Sequence, residues 1–532
     1  MGVMRTCPAL RAAALAAVLL LPLAGCSDGD GDGPGTSKPS PASTAAPTST
    51  ARDLSSQKLD WTPCTAPNEA QGGGATPSPL PGGTVWECSF MDVPLDYADP
   101  DGKTIELALV RGRARDQGRR IGSLIFNFGG PGASGVATLP SFGTAYDALR
   151  TRYDLVSFDP RGVGRSEGVE CSDDRTLDAR YEKDGTPDNS AEQKTLTDDL
   201  ASYIGDCEKN SGGELPFVGT TNAARDMDLL REVLGDDKLY YFGISYGTEL
   251  GGVYAHLFPR KVGRAVLDAV VDPTENVEQA SLGQAKGFQL ALDSFAADCA
   301  GRDDCRLPGS TAKEVETWIT GLLANLEKHP VPGLAERKLT QTQAITGIAS
   351  ALYSKETWPL LEQGLDEADG GNGGLLLALA DSLNGRSQDG QYSNANAANT
   401  AINCADSRER FTTEQTRAAL PAFRRASPVF GDYLAWGLMS CTGWPVAGAW
   451  VTPDVSAPGA PPILVIGNTG DPATPYAGAK AMAAELGPGV GVELTYKGEG
   501  HGAYNSGSAC VQKAVEGYLL DGKVPPSGKV CA

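Results

Sequence analysis

The sequence predicts an α/β fold, in which a mostly parallel, doubly wound sheet carries an inserted helical cap domain. Short apolar runs typical of buried strands alternate with helical stretches up to about residue 271, and two more such runs follow residue 461. Between them, apolar residues recur at helical spacing, for example at Val315, Leu322 and Leu326. A helical segment between two halves of one sheet is most simply a cap over an active site.

Residues 1–26 are predicted to be an export signal. Arg5 and Arg11 precede an apolar run over residues 12–23, which has the length of a signal h-region and is too short to span a bilayer. The run ends in Leu-Ala-Gly-Cys26, which resembles the lipobox of bacterial lipoproteins, so Cys26 would be lipidated. A plain secretory signal is the alternative. We expect an extracellular protein, either lipid-anchored to the cell membrane or secreted.

Residues 27–56 are predicted to be a flexible tether. They consist largely of Asp, Gly, Pro, Ser, Thr and Ala, which cannot bury a core. The formal net charge of −21 argues against nucleic acid and against an anionic membrane surface as partners. We therefore expect a monomer whose membrane contact is the N-terminal lipid alone.

The cysteines indicate disulfide bonds. Of the 12 cysteines, Cys7 and Cys26 fall in the signal segment, which leaves ten, an even number typical of an exported, disulfide-bonded chain. Connectivity stays open, and pairing between sequence neighbours, with Cys299 to Cys305 as the shortest loop, is the hypothesis. No metal site is expected, because no C-x-x-C spacing occurs and the three histidines are scattered.

The first half of the core is predicted to cover residues 57–272. Residues 85–93 and 104–112 flank an Asp-Pro-Asp-Gly turn and predict an antiparallel hairpin. A helix with Met227 and Leu230 on one face ends at Gly235. Further strands are predicted at residues 123–128, 153–158, 239–242 and 262–271.

The cap is predicted to cover residues 273–400, of which 384–399 are polar and predict a loose loop. The second half of the core then covers residues 401–532. Its strands are predicted at residues 462–467 and 492–496, and its closing helix at about 511–520.

Residues 243–247, Gly-Ile-Ser-Tyr-Gly, follow a predicted strand and lead into a helix of small residues. Strand, tight turn and helix are the context of the G-x-S-x-G nucleophile elbow. Ser245 would lie in a strained turn, and Gly243 and Gly247 would let neighbouring backbone approach it. A glycine-rich bend is the alternative, since the chain contains 66 glycines.

Ser245, Asp471 and His501 each follow a predicted strand, at the sheet edge where catalytic groups collect in parallel sheets. Their order in the chain is that of the α/β-hydrolase triad. His501 would take the Ser245 proton, and Asp471 would fix the tautomer of His501. We expect His256 and His329 to be ordinary packing or surface histidines.

An acyl-transfer site also needs two donors for the oxyanion. The backbone N–H of Tyr246, directly after the nucleophile, is one candidate. Gly130, with Gly129 close behind, is the other, in a glycine run that follows a predicted strand. A phosphate-binding loop is the alternative for that run, but the lysine and the serine or threonine of a P-loop are missing.

Six segments of the chain match motifs of a known group of enzymes. They are FGGPG at 128–132, DPRGVGRS at 159–166, GISYGT at 243–248, CAD at 404–406, CTGWP at 441–445 and GDPATP at 470–475. These segments resemble the proline iminopeptidase and tripeptidyl aminopeptidase group of α/β-hydrolases, and the actinomycete tripeptidyl aminopeptidases with their secreted protease relatives in particular. The resemblance covers the chain from Trp61 to its end and implies an α/β-hydrolase fold with a serine nucleophile.

One residue departs from the proline iminopeptidase pattern. Those enzymes usually have histidine before Gly-Gly-Pro-Gly, where this chain has Phe128. The departure favours the tripeptidyl type, and the resemblance implies an exopeptidase that binds a free peptide N-terminus through an acidic group. Asp272, Glu275 and Asp406 are the candidates, each with a structural or surface role as the alternative.

The sequence thus predicts an exported serine exopeptidase that releases short peptides, tripeptides in particular, from free N-termini through an acyl-enzyme on Ser245. No metal or organic cofactor is expected. An esterase or lipase is the first alternative, because the same triad cleaves esters. A catalytically inactive peptide-binding lipoprotein is the second, and the presence of Ser245, Asp471 and His501 counts against it.

Overall fold

A computed structural model of the chain describes residues 53–532. Its β-strands form a central sheet and one small separate ribbon. They are β1 (Thr62–Pro63), β2 (Glu87–Pro94), β3 (Thr104–Gly112), β4 (Gly122–Asn127), β5 (Tyr153–Phe158), β6 (Leu239–Ile244), β7 (Val262–Asp268), β8 (Val331–Pro332), β9 (Lys338–Leu339), β10 (Ile463–Gly470), β11 (Gly491–Glu499) and β12 (Lys529–Cys531).

Ten of these strands form one sheet in the order β1-β2-β3-β5-β4-β6-β7-β10-β11-β12, while β8 and β9 form a separate ribbon. Every neighbouring pair from β5 to β12 is parallel, and the pairs that involve β2 and β3 are antiparallel. The predicted fold class is confirmed, as is the hairpin, in which Met91 lies opposite Leu107.

Helices cover both faces of the sheet and also form the insertion between β7 and β10. They are α1 (Gly135–Phe142), α2 (Asp174–Tyr181), α3 (Ser190–Ser211), α4 (Thr220–Val233), α5 (Tyr246–Leu257), α6 (Val277–Ala300), α7 (Ala312–Lys328), α8 (Gln341–Leu352), α9 (Trp358–Asp369), α10 (Gly374–Asn384), α11 (Ala395–Asp406), α12 (Thr413–Ala426), α13 (Gly431–Gly437), α14 (Ala477–Glu485) and α15 (Ala509–Asp521).

The side chains of β4 show how the two faces divide. All six of its residues are buried, as expected for a parallel strand covered on both sides. Leu124 and Phe126 pack in one core with Val515 of α15. Ile125 points to the opposite face, where it joins the core that contains Leu250 of α5. The uninterrupted apolar run in the sequence therefore reflects two cores with one strand between them.

The inserted cap consists of helices α6 to α13, between β7 and β10. Val315, Leu322 and Leu326 are buried in the core of the cap, as their helical spacing predicts. The cap extends beyond the predicted boundary at residue 400, which falls inside α11, because α12 and α13 pack against α6. The predicted loose loop also ends earlier, since alanines at 395, 397 and 398 begin α11.

Five disulfides join sequence neighbours, which confirms the pairing hypothesis. They are Cys64–Cys88, Cys171–Cys207, Cys299–Cys305, Cys404–Cys441 and Cys510–Cys531.

The predicted signal segment 1–26, the lipidation site Cys26 and tether residues 27–52 lie outside the described residues. The last tether residues are ordered, because Leu54–Ser56 form a short 3-10 helix in which Leu54 is buried. Within residues 53–532, no helix is both long enough and apolar enough to cross a membrane.

A buried ion pair ties the DPRGVGRS segment to the core. The Arg161 guanidinium donates two hydrogen bonds to Asp226, at 2.7 and 2.6 Å, and the Tyr97 hydroxyl donates a third at 2.8 Å. Arg161 and Asp226 are almost completely buried. Arg161 also donates to the carbonyls of Pro94, Leu95 and Phe217, so this motif arginine joins three separate backbone segments.

We expect Asp226→Asn to lower the free energy of unfolding by about 3 kcal/mol, because the substitution leaves the buried Arg161 charge without its counter-charge. Chemical denaturation monitored by circular dichroism measures the change. Asp198→Asn, which breaks the exposed pair with Lys194, is the control and should leave stability nearly unchanged. Equal effects of the two substitutions would contradict the prediction.

Candidate active site

Ser245 occupies the sharp turn between β6 and α5. Its φ of 58° and ψ of −128° lie in a region that non-glycine residues rarely adopt. A Cβ atom at Gly243 would lie 2.3 Å from the Gly247 carbonyl oxygen, and one at Gly247 would lie 2.6 Å from the Asn127 carbonyl oxygen. The turn therefore requires glycine at both positions and has the geometry of a nucleophile elbow.

His501 and Asp471 are hydrogen-bonded to each other in the loops after β11 and β10. Nδ1 of His501 lies 2.8 Å from Oδ1 and 3.1 Å from Oδ2 of Asp471. Oδ1 of Asp471 also accepts hydrogen bonds from the N–H groups of Ala473 and Thr474, at 3.0 and 2.9 Å. Asp471 is thus held in one orientation, in which it faces Nδ1, and Nε2 of His501 has no hydrogen-bond partner among the described residues. The side chains of Ser245 and His501 are not hydrogen-bonded to each other.

Opposing effects act on the pKa of His501. Burial lowers it, but the charge of Asp471, the hydrogen bond to Asp471 and the charge of Asp268 together raise it above its usual value. A carboxylate hydrogen-bonded to Nδ1 stabilises the imidazolium that forms when the ring accepts a proton. The site therefore favours a histidine that can act as a base.

Asp268, at the end of β7, connects the nucleophile turn to the loop after β11 that carries His501, which is called the histidine loop. Its backbone carbonyl accepts the Ser245 N–H at 3.0 Å. Its buried carboxylate accepts the N–H groups of Ala503 and Tyr504, at 2.9 Å each. Asp268 is not among the site residues predicted from the sequence, although an aspartate at the carboxyl end of a predicted strand is a recognisable signal.

The two glycines predicted as oxyanion donors differ in their hydrogen bonds. The Gly129 N–H donates to Oδ1 of Asn127 at 3.0 Å, whereas the Gly130 N–H donates to no acceptor within the described residues. The loop after β4 that carries Gly129 and Gly130 is called the glycine loop. A Cβ atom at Gly129 would lie 2.7 Å from the Cβ atom of Ser245, so the glycine loop packs directly on the nucleophile elbow. The Tyr246 N–H lies at the first position of α5, where intrahelical acceptors are lacking. Gly130 and Tyr246 therefore carry the available donors.

The glycine loop is held in place by Asp159, which is buried. Its Oδ1 accepts the Ser134 hydroxyl at 2.6 Å and the Val136 N–H at 3.1 Å, which fixes the start of α1. From the cap, Asn399 of α11 donates to the carbonyl of Pro131 at 3.0 Å. The core and the cap thus both position the loop that carries Gly130.

The three predicted amine-binding acids do not come together at the site. Asp406 is buried and accepts the N–H and the hydroxyl of Thr220, at 2.9 and 2.6 Å, so it caps α4. Burial raises the pKa of Asp406 to about 7, although the Thr220 hydrogen bonds oppose the shift. Asp272 accepts from Thr274 of its own turn. Glu275 is half-buried, and burial followed by the charge of Asp272 raises its pKa.

Two cavities flank the site, and Ala133 and Tyr353 line both. One, of about 700 Å³, is lined by His501 and is called the histidine-side cavity. The other, of about 590 Å³, is lined by Gly130 and by helices of the cap and is called the glycine-side cavity. The carbonyl of Tyr353 accepts the His501 N–H at 2.8 Å, so the cap also holds the histidine loop. Tyr353 lies in no sequence motif, so it is not among the predicted site residues.

The fold and the site together define a serine hydrolase of the α/β-hydrolase class. Residues 427–531 match the family model described as TAP-like protein. The chain is 38% identical over 491 residues to serine protease Hip1 of Mycobacterium tuberculosis, which covers 89% of this chain and 91% of Hip1. It is 38% identical over 460 residues to carboxylesterase B of the same organism, which covers 84% and 86%. It is 31% identical over 486 residues to the tripeptidyl aminopeptidase of Streptomyces lividans, which covers 89% and 86%.

The chain therefore belongs to the TAP-like family of α/β-hydrolases that contains Hip1 and the tripeptidyl aminopeptidases. The resemblance seen in the sequence motifs is confirmed. The protein is a serine hydrolase of the peptidase type.

We expect Asp268→Asn to shift the acid limb of the pH profile of kcat/KM to lower pH. The charge of Asp268 raises the pKa of His501, so a neutral amide lowers that pKa, and the ring stays unprotonated to lower pH. Weaker anchoring of the histidine loop should also lower kcat, by up to about 100-fold. Hydrolysis of a chromogenic substrate between pH 4 and 9, roughly the range over which histidine titrates, measures both effects.

The control is Asp454→Asn, which removes an exposed carboxylate near His256. Its acid limb should coincide with that of the unmodified protein. An unmoved limb in Asp268→Asn would show that the Asp268 charge does not reach His501.

Proposed function

We propose that the protein is a serine exopeptidase that releases short peptides, tripeptides in particular, from the free N-termini of peptides. The observation that carries the proposal is the Ser245 elbow packed against Gly129, with the His501–Asp471 pair anchored beside it. The next residue, Gly130, has an N–H that donates to no acceptor within the described residues. Membership of a family that contains tripeptidyl aminopeptidases supports the same reaction.

In the proposed acylation step, Ser245 Oγ attacks the carbonyl carbon of the scissile bond while Nε2 of His501 takes its proton. The N–H groups of Gly130 and Tyr246 stabilise the oxyanion. His501 then gives the proton to the leaving nitrogen, and the C–N bond breaks. Asp471 keeps the Nδ1 proton of His501 in place throughout, so that Nε2 stays available as the base.

In the proposed deacylation step, water attacks the acyl-enzyme on Ser245. His501 takes a proton from the water and returns it to Ser245 Oγ as the ester bond breaks. The same two N–H groups stabilise the second oxyanion. Both half-reactions therefore use one base and one pair of donors.

The cap supports the proposal that short peptides are released. Helices α8, α10, α11 and α13 line the glycine-side cavity, and its volume of about 590 Å³ would limit the length of chain that it accepts. This lining contains no carboxylate, and Asp406 is engaged by Thr220. We therefore propose side-chain oxygens of the lining, such as those of Asn384 and Asn396, as acceptors for hydrogen bonds from the substrate amine.

Export and anchoring belong to the same proposal. Five disulfides among residues 53–532 support an oxidising compartment. We propose lipidation at Cys26 after removal of residues 1–25, and a monomer attached to the membrane by that lipid alone. Labelling with a radioactive or clickable fatty acid, lost in Cys26→Ala, tests the anchor.

A second candidate function is ester hydrolysis. It is favoured by the 38% identity to carboxylesterase B, equal to the identity to Hip1. The same elbow and the same N–H donors serve esters and amides, so geometry at Ser245 does not separate the two. Turnover of matched ester and amide substrates separates the two activities.

We expect the purified protein to cleave Ala-Pro-Ala-p-nitroanilide at least about 100-fold faster than its N-acetylated twin, since a free amine is the recognised group. Single-residue Ala-p-nitroanilide should be a poor substrate, and Ser245→Ala should lower the rate by at least about 10⁴-fold. Release of p-nitroaniline, followed by absorbance, measures each rate.

The matched control is Ser141→Ala, which removes an exposed hydroxyl on α1 that bonds only within its own helix. Turnover of p-nitrophenyl butyrate without any anilide cleavage would establish the esterase instead. An absence of turnover with all four substrates would favour a peptide-binding protein.

A further inference from the structure

The two cavities beside the site divide the space available to a substrate. His501 lines the histidine-side cavity and Gly130 lines the glycine-side cavity, with Ala133 and Tyr353 common to both. If the proposed reaction is right, a peptide bound across Ser245 must extend into both. The question is which half of the peptide each cavity receives.

The positions of the oxyanion donor and of the base decide which half of the peptide each cavity receives. The carbonyl oxygen must point at the N–H of Gly130, and the leaving nitrogen must come within hydrogen-bond reach of His501, which protonates it. The acyl half therefore lies on the glycine side and the leaving half on the histidine side. We propose that the histidine-side cavity is the subsite for the residue directly after the scissile bond, and that it selects an aromatic or large apolar side chain. The inference rests on the proposed function and extends it to substrate selection.

The chemistry of the lining supports this preference. Phe128 and Phe142 stack with ring centroids 6.1 Å apart, and Tyr353 and Tyr496 add further aromatic surface. Phe142 is 44% exposed, so part of its ring is open to solvent. An apolar side chain in the cavity would cover the exposed part of the Phe142 ring and gain free energy in proportion to the area removed from water. Phe128 is also the residue at which the chain departs from the proline iminopeptidase pattern.

Capture of the acyl-enzyme by added amines tests the subsite separately from the acyl half. In this reaction an amine nitrogen, in place of water, attacks the acyl carbon held on Ser245. A C–N bond forms and the C–Oγ bond breaks, while His501 carries one proton from the amine to Ser245 Oγ. An amine whose side chain fits the histidine-side cavity should compete better with water.

The experiment forms the acyl-enzyme of the full chain in the presence of phenylalaninamide or glycinamide and measures the ratio of aminolysis to hydrolysis by mass spectrometry. We expect phenylalaninamide to be at least about tenfold more effective per mole, and Phe142→Ala to reduce that advantage to about threefold or less. Leu383→Ala, which truncates a 40% exposed side chain that lines the glycine-side cavity, should leave the advantage unchanged.

Equal capture of the two amines by the unmodified protein would overturn the inference, whatever the variants do. So would loss of the advantage in Leu383→Ala but not in Phe142→Ala. The acyl donor can be the tripeptidyl anilide or the p-nitrophenyl ester, so the test also works if the protein proves to be an esterase. An acyl-enzyme that shows no preference overturns only this inference, whereas no acyl-enzyme from either donor overturns the proposed function as well.

Discussion

The rest of the site depends on the hydrogen bonds that Asp268 accepts. Ser245 is held in a strained backbone conformation, which costs about 1–3 kcal/mol and persists only where neighbouring contacts fix it. One of those contacts is the Asp268 carbonyl, which accepts the Ser245 N–H. The Asp268 carboxylate accepts two N–H groups of the loop that follows His501. A single buried residue thereby sets the nucleophile turn and the histidine loop relative to each other.

The parallel sheet explains why these loops meet. Strands β6, β7, β10 and β11 are successive neighbours and all run in the same direction, so the loops after them lie along one edge. That edge carries Ser245, Asp268, Asp471 and His501 in turn. The strand that precedes Gly130, β4, pairs with β6 on the other side and brings the glycine loop into contact with the elbow. Residues distant in the chain are therefore adjacent because of strand order.

The cap also holds two loops of the site in place. Asn399 of α11 holds the glycine loop through Pro131, and Tyr353 at the end of α8 holds the histidine loop through the His501 N–H. Both loops on which the proposed chemistry depends thus have one anchor in the core and one in the cap. A shift of the cap would change the relative positions of the base and the oxyanion donor, as well as the shape of the two cavities.

The sequence by itself determined the features that are local. Ser245 in Gly-x-Ser-x-Gly, the hairpin at residues 85–112 and the strand–helix alternation follow from turn chemistry and periodicity within short windows. The tertiary structure alone decided that the Gly129 N–H bonds to Asn127 while the Gly130 N–H has no acceptor within residues 53–532, and that Asp406 caps α4. It also decided that Tyr353 and Asp268 hold the histidine loop in place. These outcomes depend on partners far away in the chain, as Thr220 is from Asp406. A residue's type records what bonds it can make, and only the packed fold decides which of them it makes.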